Sequence, residues 1–364
     1  MGVKQGCPLS ATLFGLYIHG LEQHLKDTVG HNAPSLSGIL IPLLLYADDL
    51  ILMSTSEAGL QKQLDALQQF CDQWQLSVNL TKTKIVTSDT WAQCQDFVFK
   101  GDVVERVKSY KYLGFDFHAT KGLAFGVSKF VSAANKAPHS MRRTCAAMYV
   151  TDFAMQCQLC DTLVLPIFSY ASDVWGVDGQ AGAAAEQLRT PFLKRMLGLR
   201  DSIADVNVLA ECGRFLLQFH YWQQILRYHN RANKMSDTHL VRCAFLDDMQ
   251  HTSGTYWSHK VQHRLQKQDG SPNIQQDLNI KDINDNAKAV YDSSWHQVEL
   301  NSVARYHVLQ PEYEQHFIIR TFKCRRLISR FRCGCHGLHV DTGRLLPKLQ
   351  QLPREHRHCH VCLV

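Results

Sequence analysis

The amino-acid sequence predicts an α+β fold whose strands lie in the first third of the chain, followed by a mostly helical remainder. Between residues 1 and 118, segments with helical spacing of apolar residues alternate with short apolar runs typical of strands. Residues 119–235 keep helical spacing, and residues 236–317 are more polar but still mostly helical. Residues 318–364 are basic and rich in Cys and His. These four regions are the predicted domain organisation.

Composition narrows the class of protein without deciding its function. The 364 residues are 45% hydrophobic and 10% aromatic, which is enough to bury a sizeable core. A formal charge of +6 suits a polyanionic partner, although many proteins without such a partner are as basic. The 13 cysteines, an odd number, and the lack of a signal-like start predict a reducing compartment, nuclear or cytoplasmic. The longest apolar stretch, Ile39–Met53, contains Pro42 and two aspartates, so we do not expect it to span a membrane.

The first predicted element is a helix from Pro8 to Leu25 with one buried face. Proline suits the first turn of a helix, and the apolar residues after it recur at helical spacing. The predicted buried face consists of Phe14, Tyr17, Ile18, Leu21 and Leu25.

The second predicted element is a β-hairpin that carries two aspartates at its tip. The apolar runs Ile39–Leu45 and Leu50–Met53 flank the segment Tyr46–Asp49. We expect this hairpin to pack against the apolar face of the first helix.

A second helix comes after the hairpin, and more strands come after the helix. Ser54 and Glu57 have the spacing of a capping box at a helix start. The apolar face of this helix consists of Leu60, Leu64, Leu67, Cys71 and Trp74. A strand is predicted over Leu76–Leu80 and Ile85–Val86, and a further hairpin over Phe97–Phe99 and Tyr110–Phe117.

Helices are predicted to dominate residues 119–235. Breaks are expected at Pro138, Pro166 and Pro191 and in the Gly/Ala-rich stretch Gly179–Ala185. The pair Cys157-x-x-Cys160 has metal-ligand spacing, but it lies in an apolar helical stretch, so we interpret it as two buried thiols.

The adjacent carboxylates of Asp48 and Asp49 are the residues most suggestive of chemistry. Oxygen ligands suit Mg²⁺, and a pair of such ions can clamp the attacking and leaving oxygens of a nucleotidyl transfer. Aspartate is also common in turns for purely local reasons. The pair alone therefore does not identify a catalytic site.

Two motifs in the right order and spacing give the pair a context. The segment Gly2–Ser10 matches the pattern Gly-x-x-Gln-Gly-x-x-x-Ser, and Tyr46–Asp49 matches Tyr-x-Asp-Asp. In both motifs the chain resembles reverse transcriptases, and in its later segments it resembles those of non-LTR, LINE-type retrotransposons. The resemblance implies that residues 1–118 are part of the palm of a right-hand polymerase and residues 119–235 a helical thumb or connection.

The resemblance also implies roles for individual residues. Asp48 and Asp49 would be catalytic and would hold Mg²⁺ or Mn²⁺. The residues expected beside the incoming nucleotide and the template are Gln5, Gly6, Tyr46 and Ala47.

Two later segments resemble further motifs of the same family. Leu76–Lys84 is similar to the motif after the catalytic hairpin, and there Lys82 would act as a charge on phosphate or as a proton donor. An exposed lysine at a strand end is the plainer interpretation. Tyr112, Leu113 and Gly114 are similar to the segment that grips the primer end, although such aromatic residues could simply be core.

The C-terminal region combines basic residues with possible metal ligands. Contact with nucleic-acid phosphates is expected from Arg320, Lys323, Arg325, Arg326, Arg330 and Arg332, or else these form the solvated face of a helix. Cys359 and Cys362 resemble the first half of a zinc knuckle, and a Zn²⁺ site would need ligands from upstream. The upstream candidates are Cys335 together with His336 or His339.

The resemblance leads to a functional prediction with one reservation. We expect an RNA-directed DNA polymerase acting on an RNA template, a DNA primer and deoxynucleoside triphosphates. In the family an upstream strand supplies another metal-binding aspartate, and the only carboxylates before Asp48 in this sequence, Glu22 and Asp27, are predicted on or just past a helix. We therefore expect an N-terminally truncated sequence that is inactive alone. The alternatives are a non-catalytic nucleic-acid-binding remnant and a pseudogene product without function.

Overall fold

The computed structural model describes residues 6–29, 32–87, 96–251 and 253–269, together with 281, 284 and 285. The chain forms two compact units, the first comprising residues 1–126 with 235–259 and the second residues 127–234 with 260–364. The strands are β1 Ser35–Leu36, β2 Ile39–Leu40, β3 Leu43–Tyr46, β4 Asp49–Leu52, β5 Val98–Phe99, β6 Asp102–Val103, β7 Ser109–Tyr112 and β8 Phe115–His118.

Helices make up most of the remaining described residues. The helices are α1 Pro8–Tyr17, α2 Leu21–Val29, α3 Glu57–Gln73, α4 Gly122–Ala134, α5 Lys136–Ala147, α6 Phe153–Leu159, α7 Leu165–Phe168, α8 Ser172–Trp175, α9 Gly179–Leu197, α10 Asp205–Cys212, α11 Leu217–Lys234, α12 Leu240–Gln250 and α13 Trp257–Asp269. A π-helical turn, Cys160–Val164, joins α6 to α7. The predicted mixture of helices and strands is confirmed. No helix in these described ranges is long and apolar enough to cross a membrane.

The strands of the first unit pair as antiparallel hairpins of consecutive strands. The predicted hairpin around Tyr46–Asp49 is confirmed. The single hairpin predicted for residues 97–117 was wrong, because β5 pairs with β6 and β7 pairs with β8.

The strand predicted over residues 76–86 was also wrong. The backbone N–H groups of Lys82 and Thr83 both donate to the carbonyl oxygen of Asn79, at 3.1 and 3.0 Å, and this turns the chain. Only Ile85 makes a ladder contact, an isolated parallel bridge to Arg106. The Asn side chain favours such local turns over an extended strand.

The first predicted helix is two helices, and only the second of them is buried. α1 ends at Tyr17 and α2 begins at Leu21. None of the residues of α1 is buried, and Leu16 is 69% exposed, so the predicted buried face was wrong for Phe14 and Tyr17. It is confirmed for the residues of the predicted face that come after α1, which are Ile18, Leu21 and Leu25.

The start of α3 differs in detail from the predicted capping box. The N-cap is Ser56, whose hydroxyl oxygen accepts a hydrogen bond of 3.1 Å from the Gly59 backbone N–H. Ser54 instead supports the preceding turn, because its hydroxyl oxygen accepts from the Ser56 backbone N–H at 3.2 Å. The N-cap prediction was therefore displaced by two residues.

One apolar core holds the helices and hairpins of the first unit together. It combines α2, α3, β3, β5 and the segments around Ile85 and Val104. Its buried residues are Leu21, Leu25, Leu43, Leu64, Ala66, Leu67, Phe70, Cys71, Ile85, Phe97, Phe99 and Val104. Burying each Leu, Ile, Val or Phe side chain of this core stabilises the fold by about 1.5–3 kcal/mol relative to leaving it in water.

The second unit is helical, as predicted for this part of the sequence. Its most buried large residues are aromatic: the ring centroids of Trp175 and Tyr221 lie 4.9 Å apart, and the Tyr221 hydroxyl donates to the Phe168 carbonyl oxygen at 2.9 Å. The breaks predicted at Gly179–Ala185 and Pro191 were wrong, because α9 runs through both. Burial of neighbouring residues such as Phe192 and Leu193 outweighs the hydrogen bond that a proline removes.

Buried ionic groups connect α9 to α11. The Arg189 guanidinium pairs with the Glu186 carboxylate at 2.8 Å, and the other carboxylate oxygen accepts from the Leu217 backbone N–H at 2.6 Å. This carboxylate lies at the start of α11, where it satisfies an N–H group that lacks a helical partner.

The buried-thiol interpretation of Cys157 and Cys160 is confirmed. Burial, and secondarily the charge of Asp161, raises the pKa of the Cys160 thiol to about 12. Thiolate is the reactive form of cysteine, so this side chain is unreactive in the folded protein.

A close approach of α4 to β8 gives a first prediction. A Cβ atom on Gly126 would collide with the Asp116 carbonyl oxygen and the Phe115 ring, so Gly126→Ala should lower the free energy of unfolding by about 1–3 kcal/mol. The matched control is Gly15→Ala in α1, where a Cβ meets nothing within 4 Å. There alanine should stabilise the helix by about 0.8–1 kcal/mol. Equal effects in denaturant unfolding would contradict the packing at Gly126.

The buried thiol gives a second prediction. Iodoacetamide at pH 8 should leave Cys160 unmodified in the folded chain and modify it in urea, as read by peptide mass spectrometry. The pKa of Cys160 is about 12 in the fold and 9.0 in the unfolded chain. Its contribution to stability is therefore constant below pH 9 and is lost as the pH rises from there towards 12. The half-buried Cys7 serves as the reactive reference. Equal labelling of both thiols in the folded chain would refute the burial of Cys160.

Candidate active site

The hairpin β3–β4 presents the two aspartates at its tip. Tyr46 pairs with Asp49 in the last register position, so Ala47 and Asp48 form a two-residue turn. Ala47 has a left-handed φ of +53°, a conformation that costs an L-residue about 1 kcal/mol. The side chains of Asp48 and Asp49 are exposed, and Tyr46 is 64% exposed. The local geometry thus directs two carboxylates and an aromatic ring towards solvent.

The base of this hairpin is fixed in the core. Leu43 is buried, and its register partner Leu52 packs against the same core residues as Leu50. The buried amide of Gln63 donates to the Met53 carbonyl oxygen at 2.7 Å, so α3 also holds the chain where it leaves β4. The sequence alone did not predict this role for Gln63. Only its position next to the apolar residues of α3 could have indicated that it is buried.

The hairpin β7–β8 supplies the predicted primer-grip residues. Leu113 and Gly114 form its two-residue turn, and both have left-handed φ values, +46° and +85°. Such turns match the right-handed twist of the flanking strands. Burial raises the pKa of Tyr112, and the negative charge of Asp49 raises it further. The structure therefore brings Tyr112 close enough to Asp49 for their charges to interact.

The segment that carries Lys82 is attached to the same hairpin. The Tyr110 hydroxyl donates to the Lys82 carbonyl oxygen at 3.0 Å. The Lys82 side chain is exposed, whereas the neighbouring Lys84 forms an ion pair of 2.5 Å with Glu105. Of the two lysines, Lys82 is therefore the one whose ammonium group is available to an external anion.

Of the remaining predicted site residues, Gly6 is the one that lies among the described residues. Gly6 has a left-handed φ of +81° and is exposed just before α1. Outside the described residues lie Gln5, Arg320, Lys323, Arg325, Arg326, Arg330, Arg332, Cys335, His336, His339, Cys359 and Cys362.

The donor set of the tip suits a hard divalent cation. Both groups are carboxylates, and oxygen ligands are what Mg²⁺ and Mn²⁺ prefer. Within the part of the chain that the structure describes, no third His, Cys, Asp or Glu joins them in a group that could hold a metal ion. Asp48 and Asp49 can therefore supply two protein ligands.

Comparison with known proteins agrees with this geometry. Residues 1–117 match the family model described as reverse transcriptase (RNA-dependent DNA polymerase). The chain is 29% identical over 120 residues to the RNA-directed DNA polymerase from mobile element jockey of Drosophila melanogaster, covering 31% of this chain and 12% of the relative. It is 31% identical over 129 residues to the Pol polyprotein from type-2 retrotransposable element R2DM of the same fly, covering 33% and 12%.

A further relative extends the similarity. A putative transposon-derived protein of Caenorhabditis elegans is 25% identical over 161 residues, covering 43% of this chain and 56% of that protein. Residues 1–117 therefore match the reverse transcriptase family, and the similarity to the jockey and R2 elements supports the LINE type. The chain matches only 12% of the length of the first two relatives.

The electrostatic effect of Asp49 on Tyr112 gives a third prediction. In Asp49→Asn, the pKa of Tyr112 should move down towards 10.0, because the nearby negative charge is removed. The measurement is a pH titration of the tyrosine ¹³Cζ resonance, assigned with Tyr112→Phe. Asp116→Asn on β8 is the matched control and should leave the pKa of Tyr112 unchanged. If the two variants shift this pKa equally, Tyr112 does not sense Asp49 specifically.

Proposed function

We propose that the first unit carries two carboxylates of an RNA-directed DNA polymerase site, with Asp48 and Asp49 as ligands of Mg²⁺ or Mn²⁺. The observation that carries the proposal is a pair of exposed carboxylates, one in the two-residue turn and one directly after it, on a hairpin anchored in the core. This hairpin lies inside the reverse transcriptase sequence. The substrates would be an RNA template, a DNA primer and deoxynucleoside triphosphates.

The two carboxylates would orient the ion at the tip. When bound, a divalent ion stabilises the charge that develops on the attacking and leaving oxygens. The exposed carboxylates of Asp48 and Asp49 suit this role because they accept no hydrogen bond from another described residue that would compete with a cation.

Residues around the tip would position the reactants. The exposed Lys82 ammonium would contact a phosphate or protonate the leaving pyrophosphate. Tyr112 would support the primer end together with Leu113 and Gly114. The residues assigned to the nucleotide and the template are Gln5, Gly6, Tyr46 and Ala47.

The number of metal ligands at the tip limits the polymerase activity that we expect of this chain alone. Mg²⁺ commonly takes one or two carboxylates and completes its shell with water and substrate phosphates, so the pair can hold one ion when a nucleotide is present. A second ion needs ligands beyond those of the described residues. We therefore expect the 364-residue chain by itself to have no appreciable polymerase activity.

Metal binding without turnover is the fourth prediction. With a primer, template and deoxynucleotide present, the chain should bind Mn²⁺, detected by electron paramagnetic resonance, and Asp48→Asn should weaken that binding at least tenfold, because one charged ligand is lost. Primer extension should stay at background for both proteins. Asp65→Asn, an exposed carboxylate on α3, is the matched control and should bind Mn²⁺ like the unchanged chain.

Two results would contradict the proposal in different ways. Equal Mn²⁺ binding by Asp48→Asn and Asp65→Asn would remove the hairpin tip as a metal site. Primer extension by the unchanged chain that disappears in Asp48→Asn would keep the metal site and show that the chain supplies the remaining ligands itself.

The basic and Cys/His-rich tail would add a nucleic-acid-binding role. Phosphate contact by Arg325, Arg326 and their neighbours, and Zn²⁺ binding by Cys359 and Cys362, would support a non-catalytic role in nucleic-acid binding. A nuclear or cytoplasmic location would give access to the RNA.

A further inference from the structure

We infer that the solvent face of α5 and the turn after it bind single-stranded nucleic acid. The surface, named here the α5 surface, consists of Lys136, His139, Arg143, Met148 and Tyr149. It lies wholly in the second unit, so the inference does not depend on the polymerase activity proposed for the first unit.

The charge of this region is of one sign. From Phe117 to Thr151 the sequence contains no Asp or Glu, although it contains five Lys and Arg residues. On α5, Pro138, Met141 and Cys145 are buried, whereas Lys136, His139 and Arg143 are exposed at spacings of three and four. The exposed residues therefore form one stripe along the side of the helix that faces solvent.

Within the described residues of the unit, no acidic side chain neutralises the cations of the stripe. Among the described residues, neither Lys136 nor Arg143 has a carboxylate partner, in contrast to Arg189 and Arg214, which pair with Glu186 and Asp161. Clustered cations attract polyanions.

Tyr149 occupies a position where a tyrosine is unfavourable for the fold. The Val150 backbone N–H donates to the Cys145 carbonyl oxygen at 2.8 Å, and the Tyr149 backbone N–H donates to the Ala146 carbonyl oxygen at 3.3 Å. These two bonds define a helix end that usually carries glycine at the left-handed position. Tyr149 stands there with a φ of +55°.

Packing of the Tyr149 side chain does not offset this unfavourable backbone conformation, because the side chain is largely exposed. It is 88% exposed, and Met148 before it is 70% exposed. Residues kept in unfavourable backbone conformations cluster at functional sites. A planar ring held in water at the end of a basic stripe therefore points to an external aromatic partner.

The chemistry favours unpaired bases over other anionic partners. Proteins that bind single strands combine cations along the phosphate backbone with aromatic rings on which bases stack. A base inside a duplex already has both faces covered, so an exposed ring finds a free face only on an unpaired base. From Lys136 to Tyr149 the helix and turn extend about 20 Å, enough for several nucleotides.

The substitution Tyr149→Gly isolates the ring from folding. Glycine adopts the left-handed conformation without strain, so the variant should be at least as stable as the unchanged chain in denaturant unfolding. It should nevertheless bind a fluorescent 20-nucleotide oligo-dT roughly fivefold to a hundredfold more weakly, the loss expected for one base stacked on a ring. Tyr149→Trp should retain the affinity.

A second pair of variants tests the cations. Replacing Lys136 and Arg143 by Gln together should reduce the slope of log affinity against log salt by about 1.4, because each phosphate contact on a single strand contributes about 0.7. The matched control replaces Arg195 and Arg200 by Gln, two exposed arginines of the same unit, and should leave the slope unchanged.

A photo-cross-link locates the contact independently of affinity. A 4-thiouridine oligonucleotide irradiated with the unchanged chain should attach to the tryptic peptide that begins after Arg143, which contains Tyr149. This cross-link and the loss of affinity in Tyr149→Gly are the expected results.

Three outcomes would overturn the inference. Equal affinity of Tyr149→Gly and the unchanged chain for oligo-dT would exclude stacking on this ring. An equal loss of affinity for a 20-base-pair duplex would show that the surface does not select single strands. An equal loss for heparin, a polyanion without bases, would show that the surface binds anionic groups alone.

Discussion

The register between β3 and β4 is the constraint on which the candidate site depends. Leu43 faces Leu52 at the buried end of the hairpin, and Tyr46 faces Asp49 at the exposed end. Because successive side chains of a strand point to opposite faces, a slip of one residue would turn the core leucines outwards and move the aspartates off the turn. Burial of apolar side chains at the base therefore fixes the position of the carboxylates at the tip.

The β3–β4 hairpin is held rigidly at its base and is exposed at its tip. The base of the hairpin shares its core with α2 and α3 and is held by the Gln63 amide. The tip has the strained Ala47 and no packing over the carboxylates. A site that must bind an ion and charged substrates needs open ligands on a rigid support, and this hairpin has both. The second hairpin adds Tyr112 beside Asp49 and, through Tyr110, fixes the backbone at Lys82.

The second unit uses its charged residues in two ways. Glu186 and Arg189 are almost completely buried, and they satisfy backbone groups at the start of α11 as well as each other. Lys136 and Arg143 of α5 lie on the solvent side and pair with no carboxylate among the described residues. Removing a partner from a buried pair destabilises a protein strongly, whereas an exposed cation contributes little to stability. The α5 residues are therefore better explained by an external partner than by folding.

Local sequence determined the elements whose pattern is strong and whose partners are close in the chain. The Tyr46–Asp49 hairpin, the apolar face of α3 from Leu60 to Cys71 and the helices of residues 119–235 were all predictable, because apolar spacing and turn residues act over a few positions. The predicted face was wrong for Trp74, which follows the last residue of α3 and is 36% exposed. The same is true of the buried thiols of Cys157 and Cys160, which lie in an apolar helical stretch. The selection of Asp48 and Asp49 as candidate metal ligands rests on their motif and its neighbours.

Only the tertiary structure decided features in which distant segments or competing local bonds are involved. The choice of Ser56 over Ser54 as N-cap depends on hydrogen bonds with Asn32, 24 residues away in sequence from Ser56. The electrostatic effect of Asp49 on Tyr112 and the hydrogen bond from Tyr110 to Lys82 join segments that sequence periodicity treats separately. Nothing in the sequence distinguished Tyr149 from other aromatic residues, because its left-handed backbone and its exposure arise only in the fold. Spacing along a chain predicts which face of an element is apolar, but what that face meets depends on the packing of the whole unit.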